Sequence, residues 1–133
     1  MYEGGCFCGA LRFRAEVRPI DTGYCHCTVC RRTTGAPVLA WASFAVDAFA
    51  YTKGRATIYD SSSWGHREFC NHCGTQICYR KTEAATTVDV NVGCMDDPSA
   101  FPPKNHIYAK DRISWFNTAD DLPRYAGSEP DAD

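Results

Sequence analysis

Three cysteines fall within six residues, Cys25-His26-Cys27-Thr28-Val29-Cys30, and Arg31 and Arg32 follow at once. Ordinary core packing has no use for thiols at that density. Deprotonated together, the three sulfurs form three corners of a tetrahedral thiolate site of the kind zinc occupies. No obvious fourth corner lies nearby in the chain. Three protein ligands with one position left over is the pattern that separates a reactive zinc site from a closed structural one.

The remaining cysteines have to be read against the compartment. The chain has 133 residues and nine cysteines, and Met1-Tyr2-Glu3-Gly4-Gly5 lacks the basic and apolar regions of a signal peptide. No apolar run approaches the roughly 18 residues of a membrane span. The expectation is a soluble, cytoplasmic protein, where disulfides are disfavoured and the spacings C-x-C, C-x-C-x-x-C and C-x-x-C suit metal. Net charge is −2 and no lysine or arginine block stands out, which argues against a nucleic-acid partner.

Two further motifs carry cysteine pairs. In Gly5-Cys6-Phe7-Cys8-Gly9, residues two apart on an extended strand point to the same face, so both sulfurs reach one ion. In Cys70-Asn71-His72-Cys73-Gly74, a tight turn presents both sulfurs inward and the glycine supplies a positive φ. Between the motifs the chain reads as short strands. Leu11 to Val17 and Thr87 to Val92 alternate apolar with polar residues, Val38 to Phe44 is a buried apolar run, and Thr57-Ile58-Tyr59 and Thr75 to Arg80 complete the set. Asp96-Asp97-Pro98 fits the capped start of one helical turn, and Ile107-Tyr108 and Ile113 to Phe116 suggest two last strands. The class is mainly β. A single domain over 1–127 and a short, disordered acidic tail over 128–133 are expected.

Cys6, Cys8, Cys70 and Cys73 would close a long loop through one structural ion, worth on the order of 10 kcal/mol of folding free energy. The alternative is that the two pairs serve different ions or none. For Cys25, Cys27 and Cys30 two readings stand: a closed site completed by Cys78, Cys94 or a histidine, with Cys94 the better candidate, or an open site. An open tris-thiolate centre prefers a soft incoming ligand, and a substrate thiol is the softest common one, held as a nucleophilic thiolate near neutral pH.

The three cysteine motifs, in this order, resemble the glutathione-dependent formaldehyde-activating enzyme family, which also contains the centromere-protein-V-like proteins. Asp96-Asp97-Pro98, His106-Ile107 and Trp115 fall in the order that family shows, and the likeness runs from about Gly4 to Tyr125. It implies an Mss4-like fold of several small coiled antiparallel β-sheets stapled by zinc. It implies a structural Zn²⁺ on Cys6, Cys8, Cys70 and Cys73 and a catalytic Zn²⁺ on Cys25, Cys27 and Cys30. The implied activity is of the carbon–sulfur lyase type, joining glutathione to formaldehyde as S-hydroxymethylglutathione. The expected partner is therefore a small-molecule thiol, glutathione or its adduct.

Other residues receive plainer readings. His26 and His72 alternate away from any ion, His106 is structural in a strand, and Cys78 and Cys94 are small buried hydrophobes by default. Arg31, Arg32 and Arg67 either balance the anionic thiolate centres or receive a substrate carboxylate. Trp41, Trp64 and Trp115 are assigned to core packing ahead of a cleft. A non-catalytic, zinc-stapled module that docks a protein partner is the alternative to an enzyme. A dithiol redox protein fits the crowded cysteine pattern less well.

Overall fold

In a computed structural model that describes residues 1–130, the chain forms ten short strands and one short α-helix, with single 3₁₀ turns between them. Strands β1 (Tyr2–Gly5), β2 (Arg12–Ala15) and β5 (Phe49–Lys53) make a three-stranded sheet in the order β1-β2-β5. The other seven are β3 (Asp21–Cys25), β4 (Leu39–Ala45), β6 (Thr57–Tyr59), β7 (Gly65–Phe69), β8 (Gln76–Lys81), β9 (Thr87–Asn91) and β10 (His106–Ile107). They form a second sheet in the order β10-β3-β4-β9-β8-β7-β6. Its pairs are antiparallel except β10 with β3, which is parallel. The mainly-β expectation holds, with one mixed edge. No helix among the described residues is long and apolar enough to cross a membrane.

Period-two alternation gives the larger sheet two different faces. Ala42, Phe44, Val88, Val90 and Ile77 are fully buried and share one apolar core with Leu11, Phe13 and Phe49 of the smaller sheet's side. The residues between them, among them Trp41, Ser43, Asp89 and Asn91, line a cleft on the opposite face. That division places the core on one side and the chemistry on the other.

Several local expectations need correction. Cys6 and Cys8 lie on a turn, not an extended strand: Gly9 N–H donates to Cys6 O at 3.2 Å and Gly9 takes φ +82°. Asp97 precedes the 3₁₀ turn Pro98–Ala100 without a side-chain cap, and Asp96 instead pairs with Arg12 (Nη1 to Oδ1, 2.9 Å). Ile113 to Phe116 is a turn, because Phe116 N–H closes back on Ile113 O at 3.0 Å and no neighbouring strand offers a ladder. Trp64 and Trp115 are exposed instead of packed in the core. Of the acidic tail, residues 131–133 lie outside the described residues, while Ser128 Oγ stands 3.1 Å from the Tyr108 hydroxyl.

One buried polar knot ties the two sheets together. Glu68 on β7 is 5% exposed and accepts from Tyr51 OH of β5 at 2.8 Å. It also meets His66 Nε2 and Arg80 Nε, each at 2.8 Å. Burial is the largest influence on this carboxyl and opposes ionisation, yet His66, Tyr51 and Arg80 together hold it below its ordinary value. A lowered folded-state value means the stabilisation is complete above the ordinary carboxylate range and is lost as pH falls through the folded value. Glu68→Ala leaves the half-buried Arg80 without its counter-charge and Tyr51 OH without its acceptor, an expected loss of about 2–3 kcal/mol. Urea melts at neutral pH check the loss, and the gap between variant and wild type is expected to narrow on acidification.

Candidate metal centres

The first cluster brings the N-terminal turn onto the β7–β8 turn in the middle of the chain. Cys6 Sγ lies 3.6 Å from Cys8 Sγ, and Cys8 Sγ lies 3.8 Å from Cys70 Sγ across 62 residues of chain. All four sulfurs of Cys6, Cys8, Cys70 and Cys73 are within 4.8 Å of one another. Zinc–sulfur bonds of about 2.3 Å require tetrahedral edges of about 3.8 Å, the scale of the Cys6–Cys8 and Cys8–Cys70 separations, so the donor set suits that ion. Each half is a turn closed by a glycine in the left-handed region, Gly9 and Gly74. Gly74 N–H donates to Cys70 O at 2.8 Å, and Leu11 N–H reaches Cys6 Sγ at 3.2 Å. Thr75 joins the halves: its hydroxyl accepts from Phe7 N–H at 3.1 Å and sits 3.2 Å from Cys73 Sγ. That hydroxyl, with the nearby backbone N–H groups, draws the Cys73 thiol down to about 5.

The second cluster is built by a strand that runs into a helix. Cys25 ends β3, and His26 N–H donates to Ile107 O of β10 at 3.1 Å, fixing the peptide between Cys25 and Cys27. Cys27 caps helix α1 (Thr28–Thr34), its Sγ accepting from Cys30 N–H at 3.2 Å. Gly35, at φ +70°, closes the other end with its N–H on Arg31 O. The three sulfurs of Cys25, Cys27 and Cys30 lie within 4.8 Å of one another. Hydrogen bonds from Cys25 and Cys30 pull Cys27 down to about 2, and the resulting thiolate, with burial, pushes Cys25 and Cys30 up. A bound dication would deprotonate all three.

No fourth side chain from the expected candidates closes this cluster. Cys94 Sγ instead donates to Gln76 O at 3.1 Å and packs on the main core, so the expectation that it was the better closing ligand fails. Cys78 is buried beside Glu68, at 3.4 Å. His72 is exposed and belongs to neither cluster. His26 also stays out of the ligand set. Its Nε2 stands 2.8 Å from His106 Nδ1, and His106 Nε2 stands 3.1 Å from Asp120 Oδ1. Both rings are almost fully buried, and His106 stacks on Tyr24. This chain ties the Cys25–Cys27 loop to the C-terminal segment.

The three-cysteine cluster opens on a cleft of about 900 Å³. Cys25, Cys30 and Trp41 form a small apolar cluster at its inner end, with Tyr108 against them. Arg67 reaches in from β7, with Nη2 3.7 Å from Cys30 Sγ and its guanidinium over the Tyr79 ring. Arg31 is engaged elsewhere, its Nε on His26 O at 3.3 Å and Nη2 on Asp111 O at 3.4 Å. Arg32 is exposed on α1. Of the three arginines singled out from the sequence, Arg67 is the one placed beside a cluster thiol. Asp89, Tyr79, Ser43 and Asn91 also line the cleft. They were missed, although the alternation of Thr87 to Val92 already set Asp89 and Asn91 opposite the valines.

A small β protein with one four-cysteine staple and one three-cysteine centre facing a cleft is the class these features define. The chain matches the description "Glutathione-dependent formaldehyde-activating enzyme" over residues 1–111, and it belongs to that family. It is 26% identical over 125 residues to a Halomonas elongata protein named "Putative glutathione-dependent formaldehyde-activating enzyme", covering 86% of this chain and 79% of that one. It is 29% identical over 90 residues to an uncharacterized lyase of Schizosaccharomyces pombe, covering 68% of this chain and 65% of the relative, slightly under two thirds of that protein's length. A crystal structure of a Rhodobacter sphaeroides protein superposes with TM-score 0.59 at 21% identity, covering 92% of this chain and 98% of that one, a likeness of fold.

Proposed function

We propose that the protein is a zinc-dependent enzyme of the carbon–sulfur lyase type, joining glutathione and formaldehyde as S-hydroxymethylglutathione or cleaving that adduct. In this reading Cys6, Cys8, Cys70 and Cys73 hold a structural zinc, and Cys25, Cys27 and Cys30 hold a catalytic one. The observation that carries it is the three-sulfur cluster, with neither spare cysteine nearby, at the inner end of a cleft. When bound, zinc supplies a soft Lewis acid that stabilises a substrate thiol as its thiolate and polarises an aldehyde oxygen.

The chain's own residues supply the rest. Cys25, Cys27 and Cys30 would hold the ion by three sulfurs and leave room for an outside one. Arg67, donating toward Cys30, offsets part of the thiolate charge and so lowers the cost of bringing a further anionic sulfur alongside. Trp41, 7% exposed, and Tyr108 exclude water from the inner end. The reaction is an addition: the glutathione sulfur bonds to the formaldehyde carbon, the carbonyl π pair moves to oxygen, and that oxygen takes up the proton the thiol gave away. Nothing is oxidised, and no group leaves. The cleft of about 900 Å³ falls within the range of small-ligand sites.

Calorimetric titration of the zinc-loaded protein with glutathione, with and without formaldehyde, tests the reading. Saturable heat from glutathione alone, changed by formaldehyde, is expected, with zinc retained at the four-cysteine site. Absence of heat with any thiol would favour a zinc-stapled docking module.

A further inference from the structure

The cleft face of the larger sheet carries a line of polar side chains of which only Arg67 has a place in the thiol chemistry. Strand register sets Asp21 opposite Ser43, Ser43 opposite Asp89, Asp89 opposite Tyr79, and Tyr79 opposite Arg67. All five line the cleft that holds Cys25, Cys27 and Cys30. Strands in a sheet lie about 4.8 Å apart, so Asp89 and Arg67, two strands apart, have Cα atoms roughly 10 Å from each other.

The two ends of this line carry opposite charge without touching each other. Among the described residues no ion pair joins Asp89 to Arg67. Arg67 is 8% exposed, and its Nε has no hydrogen-bond partner among the described residues. Its guanidinium covers the ring of Tyr79, the residue between it and Asp89 in the line. At the acidic end, Ser43 stands opposite Asp89 in the register, and Asp21 opposite Ser43 brings a second carboxylate to the same face. Asp21 itself is held by Thr22 N–H at 2.8 Å and Asn105 Nδ2 at 3.2 Å. Charges withdrawn from water are costly unless paired in full, and a ligand bearing both signs would add a counter-charge at both ends at once.

We propose that the line Asp21–Ser43–Asp89–Tyr79–Arg67 is a recognition bed for a zwitterionic α-amino-acid end on the thiol substrate, its ammonium toward Asp89 and Asp21 and its carboxylate toward Arg67. The proposal rests on the thiol-binding reading and narrows it. A favoured ligand must carry a soft sulfur together with a free α-ammonium and α-carboxylate, as the γ-glutamyl end of glutathione does. The N-terminus of an ordinary peptide has the ammonium without the neighbouring carboxylate.

The test is calorimetry on the zinc-loaded full chain with three probes: glutathione, its des-amino analogue lacking the ammonium, and 2-mercaptoethanol. Wild type is expected to bind the des-amino analogue roughly tenfold more weakly than glutathione, as loss of a charge-assisted contact requires. Asp89→Asn is expected to bind the two alike. Equal binding of both by wild type overturns the proposal, and so does an Asp89→Asn variant that keeps the full preference. The wild-type comparison decides even where the variant folds poorly. If 2-mercaptoethanol binds as tightly as glutathione, the bed falls while the thiol centre stands. If none of the three binds, both fall together.

Discussion

Replacing Cys70 with serine is expected to leave the chain unfolded at ordinary temperature. Cys70 is 1% exposed, belongs to the main core, and opens the turn that joins β7 to β8. Its sulfur lies 3.8 Å from Cys8, so it is where the N-terminal turn meets the hairpin. A structural zinc on four thiolates contributes on the order of 10 kcal/mol. Whole domains are stable by only about 5–15 kcal/mol. A serine oxygen at that position is a hard, protonated donor, and most of the ion's contribution goes with the lost thiolate. Far-ultraviolet circular dichroism and zinc content should fall together. A native spectrum with one zinc lost would show that the four-cysteine cluster is dispensable for folding.

Cys27→Ser is expected to behave in the opposite way: a folded protein with about half its zinc and no thiol binding. Cys27 is half-buried, and its structural duty is to cap α1 by accepting from Cys30 N–H. Serine is among the best residues for that duty, so the helix start loses little or nothing. The centre loses its most acidic thiol, the one its neighbours draw down to about 2. Two remaining thiols, Cys25 and Cys30, hold zinc far more weakly than three. Circular dichroism, metal analysis and glutathione titration read the three consequences separately. If Cys70→Ser and Cys27→Ser unfold alike, the division into a structural and a reactive centre is wrong.

The two clusters were legible because bringing several sulfurs to one point imposes spacing directly on the sequence. C-x-C-G and C-x-x-C-G each make a turn that aims two sulfurs at one point, and Gly9 and Gly74 take the positive φ such turns need. Strands were legible where one face was apolar, as at Val88 and Val90, and less so where pairing alone makes the strand. Asp21–Cys25 has mixed composition and is held as a strand by β4 and β10 on either side. Helix α1 went unseen because its residues are threonine, valine and arginine around a cysteine, with a thiol as cap in place of the usual hydroxyl or carboxylate. The Asp21-to-Arg67 line was out of reach for a different reason. It is a product of register across five strands, and no local window of sequence contains it. The same holds for Asp120, which meets His106 and, through it, His26 only once the C-terminal segment is folded back.

Zinc K-edge X-ray absorption on the fully loaded protein, before and after glutathione, tests the central claim most directly. The expected result is a mixed shell at first, with the cysteine sulfurs of both clusters plus one light-atom ligand on the three-cysteine ion. Glutathione should then replace that light atom with sulfur, giving all-sulfur coordination at both ions. An all-sulfur shell before any thiol is added, or a shell that glutathione leaves unchanged, would contradict a centre held open for an outside thiol.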